Sequence, residues 1–392
     1  MKILFVHNNY GNNNSGEEHA SQGLADLLEE HGHTVQWCRK SSDVIQDSFK
    51  MKIAAFFLGI YNPKAVKEIK VQILEFKPDV IQVQNVYPLI SPAILPMIKR
   101  LNIPIVMRCP NYRLFCPTGL HLGPKGNVCE KCLKGTREFN AILKNCENNW
   151  FKSIGYAVRN FTARKIWNLT KNMDAYIVQS NYQKQKFITN GIEASKLFIV
   201  PGLTPKLVSH QSNEIGKYVS FIGRASKEKG ILEFLDVAKA LPNIQFAVVG
   251  SLDPSLQQLK DKTPDNIFWS GFLSGKDYDR FYQQSKIVVV PSKWYEGFPN
   301  VITRAMQHGK PVITSNIGAM QSIIDHNING ILVTPGDVEQ LKNAIENLYK
   351  DDKKCIELGK QGKKKAQKDY NNKMIYNELL RTYNFILKPV NK

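Results

Sequence analysis

Short apolar runs rich in Val, Ile and Phe recur along the chain, at 3–6, 80–83, 103–107, 175–178, 197–200, 218–222, 246–249, 287–290, 312–314 and 331–333. Segments of helical spacing separate most of them: 17–30, 64–76, 181–189, 231–241, 277–284, 301–308 and 338–349. Leu24, Leu27 and Leu28 repeat at helical intervals, as do Leu341, Ile345 and Leu348. Strands alternating with amphipathic helices predict parallel, doubly wound sheets, an α/β fold.

The alternation restarts at Tyr218. Residues 201–216 are polar and hold two prolines, which marks a linker. The pattern therefore predicts two Rossmann-like domains, 1–205 and 206–372. A last helical segment, within 373–392, carries Ile375, Leu379, Leu380, Tyr383 and Leu387 on one side and is expected to pack back on the first domain. A chain of 392 residues is long enough for two cores of ordinary size.

The N-terminal apolar run is too short for a signal peptide, and the longest apolar stretch, 53–61, is too short to span a bilayer. The expectation is a cytoplasmic protein. Its formal charge of +19 is uneven. Nine Lys or Arg face three Glu between 130 and 171, and a second basic excess runs from 350 to 368. Such a surface is either simply solvated or attracted to anionic headgroups on the inner face of a membrane. Trp150, Phe161, Ile166, Trp167 and Leu169 lie among these cations; core packing is the first expectation for the aromatics, and an interfacial amphipathic patch the alternative. No nucleic-acid motif accompanies the charge, so a nucleic-acid partner is not expected. G-x-G-x-x-G is missing after the first strand, and no Walker loop occurs, which argues against a nicotinamide dehydrogenase or a P-loop ATPase.

Two turns carry the chemistry. G-R-A-S-K-E-K-G at 223–230 follows one apolar run, and P-S-K-W-Y-E-G-F-P-N at 291–300 follows another. Each is a strand, a turn and a helix start, where open parallel sheets bind ligands. Arg224 and Lys229 supply cations, the second turn supplies a helix N-terminus, and Glu296 supplies a carboxylate suited to sugar hydroxyls. The pair points to an enzyme that handles a sugar nucleotide.

The stretch 291–314 resembles the nucleotide-binding signature of family 4 retaining glycosyltransferases, which have the two-domain GT-B fold with domains facing across a cleft. G-R-x4-K-G at 223–230 is similar to the other half of that signature, and the likeness continues through Gly271, Phe272, Leu273, Gly318 and 329–333. In the first half, N-Y-R-L-F-C-P-T-G at 111–119 with Cys129 and Cys132 after it resembles one subgroup. By this resemblance Arg224 and Lys229 hold the donor diphosphate and Glu296 binds the donor sugar. Gly16, Gly223, Leu273, Gly297, Phe298, Asn300 and position 304 complete the implied donor site. The implied reaction transfers a sugar, hexosyl in kind, from a nucleotide donor to a glycan or lipid-linked acceptor. It retains anomeric configuration and needs no metal or other cofactor for catalysis. The chain departs from the family pattern twice. Arg304 stands where a ribose-binding acidic residue is usual, and Pro110 where many members have histidine. These departures keep two alternatives open: a nucleotide-sugar epimerase or hydrolase of the same fold, and a catalytically silent sugar-nucleotide-binding protein.

Seven cysteines without a secretion signal are expected as reduced thiols. Cys116, Cys129, Cys132 and Cys146 have the spacing C-x12-C-x2-C-x13-C, which suggests a structural Zn, against ordinary buried thiols or a redox-sensitive pair. His7, His19 and His121 are expected in first-domain loops that could face the cleft, where a histidine can meet substrate or simply face solvent.

Overall fold

The structure, a computed structural model, describes residues 1–10, 16–46, 49–134, 137–204, 207 and 215–387. It divides into two compact units. The first comprises Met1–Pro124, Cys129–Leu203 and Asn372–Lys392, and the second Lys125–Val128 and Thr204–Asn371. Most of the linker expected at 201–216, the Asn-rich loop before the first helix, and residues 388–392 lie outside the described residues.

The first unit holds strands β1 (Lys2–Asn9), β2 (Thr34–Ser41), β3 (Val80–Asn85), β4 (Ile105–Arg108), β5 (Ala175–Val178) and β6 (Leu197–Ile199). They pair in parallel in the order β2-β1-β3-β4-β5-β6. The second unit holds β7 (Tyr218–Ile222), β8 (Phe246–Val249), β9 (Ile267–Gly271), β10 (Ser285–Val290), β11 (Val312–Ser315) and β12 (Ile331–Val333). Their order is β12-β11-β10-β7-β8-β9, again all parallel. This is the strand order of a dinucleotide-binding sheet, and the first unit has the flavodoxin-like order. Strand order reverses between β1 and β3 in one sheet and between β7 and β10 in the other.

Alternation along each strand explains how both faces become core. In the second unit Val219, Phe221, Ile287 and Val289 pack on one side with Phe234, Leu341 and Ile345. Their neighbours Ile222, Val288 and Val290 pack on the other with Ile302, Met306 and Met320. The helices start where the sequence supplies caps. Ser180 accepts from the Gln183 N–H ahead of Asn181–Thr189, and Asp337 accepts from Gln340 N–H ahead of Val338–Lys350. The helix Asn372–Leu387 belongs to the first unit, where Ile375, Leu379 and Tyr383 are fully buried and the Tyr383 hydroxyl donates to Gln82 Oε1 at 2.6 Å. Leu387, expected on the same side, is exposed.

Candidate active site

The loops after β7 and β10 meet at the switch point of the second sheet. Gly223 and Gly230 both adopt positive φ, +129° and +80°. A Cβ on Gly230 would lie 2.1 Å from the Pro291 carbonyl oxygen, so glycine alone lets the two loops approach. The consequence is a direct bond between them. Lys229 Nζ donates to Glu296 Oε1 at 2.5 Å. The same oxygen accepts from Ser292 Oγ at 2.9 Å and from Trp294 Nε1 at 3.0 Å. Glu296 is buried, and the Lys229 ammonium also sits 5.4 Å from the centre of the Trp294 ring. All three bonds fall on Oε1, which fixes the plane of the carboxylate.

The helix Asn300–Gln307 begins four residues after Glu296. Pro299 at its N-cap provides no side-chain cap, and Asn300 Oδ1 is buried without a partner. Uncapped N–H groups near a lysine favour an anion. Gly297 is buried, Phe298 packs edge-on against Tyr370 at 5.4 Å, and Leu273 packs on the core. Gly223 follows the end of β7, and a Cβ there would meet open space. Gly16, in the first unit, is the exposed first residue of the helix Gly16–Glu30.

Arg224 and Arg304 occupy unlike environments. Arg224 is largely exposed and pairs with Glu228 Oε1 at 2.5 Å, an oxygen that Ser226 Oγ also meets at 2.6 Å. Arg304 is buried and forms an ion pair with the fully buried Asp279 of the helix Gly275–Gln284. His308 Nε2 lies 3.1 Å from the same Asp279 oxygen, and its ring stacks on Tyr282. Burial lowers the His308 pKa against the pull of Asp279. The guanidinium thus has its carboxylate inside the unit. Asp277 and Asp279 have D-x-D spacing but do not act together, because Asp277 is exposed beside Arg280.

Ser292, Trp294, Asp279 and His308 were not singled out by sequence reasoning. Ser292 and Trp294 stand inside the 291–300 motif, so their signal was present. Asp279 has none, since only the fold brings it to Arg304.

In the first unit, His7 is buried on β1, and burial, with Arg108 and Arg39 nearby, lowers its pKa to about 4. His121 is buried with Nδ1 3.1 Å from the Cys129 carbonyl, and His19 is exposed. Pro110 and Arg113 line a cavity at the ends of β1, β3 and β4. Among the described residues no group of three or more His, Cys, Asp or Glu side chains is arranged to hold a metal ion. Cys116, Cys129, Cys132 and Cys146, where a structural Zn was expected, do lie near one another, within range of mutual charge effects. Their thiols also have other partners. Cys116 is held well below the usual thiol value, with Cys132 beside it the largest cause. Cys116 Sγ lies 3.3 Å from Thr118 Oγ1, and Cys129 Sγ accepts from Lys144 at 3.5 Å. All seven cysteines are free.

With this geometry in view, comparison with known proteins defines the class. Residues 206–365, most of the second unit, match the model of the glycosyl transferases group 1 family. A capsular polysaccharide biosynthesis glycosyltransferase, CapM of Staphylococcus aureus, is 28% identical over 246 residues, 58% of this chain and 63% of the relative. An uncharacterized 42.6 kDa protein in the cps region of Klebsiella pneumoniae is 28% identical over 275 residues, 69% of this chain and 66% of its own length. The matches thus span less than two thirds of these relatives. In structure, sucrose-phosphate synthase of Thermosynechococcus elongatus superposes with a TM-score of 0.74 at 18% identity, covering 98% of both chains. HepE of Anabaena, solved in complex with UDP-glucose, gives 0.66 at 18% identity, over 98% of this chain and 99% of that one. The fold is GT-B.

Proposed function

We propose that this protein is a retaining glycosyltransferase that moves a sugar from a nucleoside diphosphate donor to a glycan or lipid-linked acceptor in the assembly of a surface polysaccharide. The observation that carries this reading is the Lys229–Glu296 pair beside the open N-terminus of Asn300–Gln307. A diphosphate needs a cation and free N–H groups, and they stabilise the charge that grows on it as the sugar leaves. Glu296 Oε2, left out of the Oε1 bonds, is the acceptor for donor-sugar hydroxyls. Hexosyl transfer without a metal fits this set, because Lys229 and the helix supply the positive charge. The acceptor hydroxyl attacks the face from which the diphosphate departs, and a donor phosphate oxygen takes its proton. CapM, the relative in capsule synthesis, supports the choice of product class. HepE, solved with UDP-glucose, supports a UDP-sugar donor. Mass-spectrometric screening of nucleotide sugars against lipid-pyrophosphate and glycan acceptors tests the reading. The expected result is glycosylated acceptor and released nucleotide in equal amounts. Nucleotide release or sugar isomerisation without any acceptor product would favour the hydrolase or epimerase, and binding without turnover a silent binder.

The reaction is further proposed to run on the cytoplasmic face of an anionic membrane. No helix of the described residues is long and apolar enough to cross one. The support is a surface of the first unit. Helix Phe49–Ile60 exposes Ile53, Phe56 and Phe57, and helix Trp150–Lys165 exposes Trp150, Phe151 (87%) and Ile154. The two helices pack together, since a Cβ on Gly155 would meet the Phe56 ring at 2.6 Å. Lys50, Lys52 and Lys152 are exposed on the same helices. Apolar side chains among lysines suit an anionic bilayer surface. Of the residues singled out earlier, Trp150 and Ile166 are exposed, Phe161 and Trp167 half-buried, and Leu169 buried. Vesicles of anionic lipid should sediment the protein at low salt, and Phe57→Ser with Phe151→Ser should abolish this. Equal binding to neutral vesicles, or no binding at all, would refute it.

A further inference from the structure

The ends of β1, β3 and β4, at the switch point of the first sheet, bound a cavity. It encloses about 390 Å³ including its open mouth. Tyr10, Glu17, Gln84, Asn85, Arg108 and Arg113 supply its polar wall. Several of their atoms are closed off from solvent and have no hydrogen-bond partner: both amide atoms of Gln84, Arg108 Nη1, Arg113 Nε and Glu17 Oε1. Gln84 and Arg108 are each only 2% exposed.

Other atoms of the same groups are held in place. Tyr10 Oη donates to Glu17 Oε2 at 3.1 Å, while Arg113 Nη1 donates to Tyr10 Oη at 3.4 Å and to Asn85 Oδ1 at 3.3 Å. The wall is therefore built, with several hydrogen-bonding positions open. Buried polar atoms without partners are costly, and charged ones more so, so a set of them lining one cavity calls for a ligand that meets them. The set also defines that ligand. Two guanidiniums face a single carboxylate, and burial disfavours ionisation of that carboxylate. The balance is positive. A carboxylate or phosphate oxygen answers Arg108 and Arg113. Gln84, with one donor and one acceptor, and Glu17 Oε1 answer hydroxyls.

We propose that this cavity is the acceptor subsite, and that the acceptor unit bound there carries an anionic group beside free hydroxyls, as in a uronic acid or a sugar phosphate. The assignment rests on the transferase reading above. Calorimetric titration of the full-length protein with glucuronate, glucose 6-phosphate and glucose tests it. At least one charged sugar should bind ~10-fold or more tighter than glucose, as expected where a missing partner strands buried polar groups. Whichever of the two binds tighter distinguishes carboxylate from phosphate. Arg108→Gln should remove the preference. Gln84→Glu, which adds a negative charge to the wall, should remove it as well and serves if Arg108→Gln fails to fold. Equal binding of charged and neutral sugars, or a preference that survives both substitutions, overturns the proposal. Titration of wild-type protein with UDP separates the two levels. Nucleotide binding without charge preference defeats the acceptor subsite alone, whereas absence of binding to UDP and to other nucleoside diphosphates defeats the transferase reading.

Discussion

The two switch points treat their charged groups in opposite ways. At the β7/β10 reversal Glu296 Oε1 collects three donors, and Arg304, Asp279 and His308 form a buried ion-paired set one helix turn further in. At the β1/β3 reversal Gln84, Arg108 and Glu17 keep buried atoms without partners. A preset arrangement is what charge stabilisation during a reaction requires, since nothing has to reorganise as the charge forms. Unmet buried atoms serve discrimination, since a ligand that lacks the matching group leaves them stranded. On the readings proposed above, one reversal serves chemistry and the other recognition.

The largest effect should come from breaking the ion-paired set. Asp279→Ala removes the partner of a buried guanidinium and should cost about 3–5 kcal/mol of stability, read by urea denaturation. A loss below about 1 kcal/mol would mean that Arg304 finds water or another acceptor, and the second site would lose its rigid base. Next is Lys229→Ala, which should leave the fold intact and lower kcat by about 10²–10³-fold, as for loss of one preorganised electrostatic donor. Near-normal turnover in a folded variant would remove Lys229 from the chemistry and weaken the contrast between the two reversals.

How far the sequence disclosed this contrast depends on what each feature needs. Strands covered on both faces need apolar runs, and ten were legible as such. The two not anticipated, β2 and β9, are edge strands, where Thr34, Gln36 and Arg39 or Ser270 are tolerated because the sheet ends there. The helix Asp352–Asp369 read only as a run of charge. Its buried positions Cys355, Leu358, Gly359, Gly362 and Ala366 do recur at helical spacing, but two are glycines. A Cβ on Gly359 would lie 2.0 Å from the Gly309 carbonyl, so they pack by lacking a side chain and leave no apolar signal. Lys229 and Glu296 were legible because one motif holds each loop. Asp279, Gln84 and Arg108 were not, because each gains its meaning only from a neighbour far away in sequence.

A pH profile sharpens the first-domain side. His7 has a folded pKa of about 4 against 6.5 when exposed, lowered by burial first and then by Arg108 and Arg39. The unfolded chain therefore binds this proton more readily. The stability His7 preserves should be complete above pH 6.5, decline as pH falls toward 4, and stop changing below that. A difference of 2.5 units corresponds to a loss on the order of 3 kcal/mol. Carboxylates titrate in the same window, so the measurement is the difference in denaturation midpoint between wild type and His7→Gln. A difference that stays flat from pH 7 to 4.5 would place His7 in contact with water and make the first switch point less dry than its neighbours Gln84 and Arg108 indicate.

The smallest effect concerns Arg224. Its pairing with Glu228 is an exposed i,i+4 contact, and such pairs contribute about 0–1 kcal/mol. Glu228→Gln should accordingly change stability by no more than ~0.5 kcal/mol. The informative readout is nucleotide affinity. If Arg224 turns from Glu228 to a donor phosphate on binding, the carboxylate competes with the ligand, and its removal should tighten UDP binding several-fold, with the gain fading as salt screens it. If Arg224 stays at the surface, affinity will not move and Lys229 alone carries the charge at this loop. The first outcome would show that the second site is not preset throughout. One of its two cations would then be held in reserve by a weak surface pair, and the contrast with the first domain would be one of degree at Arg224 and of kind only at Glu296.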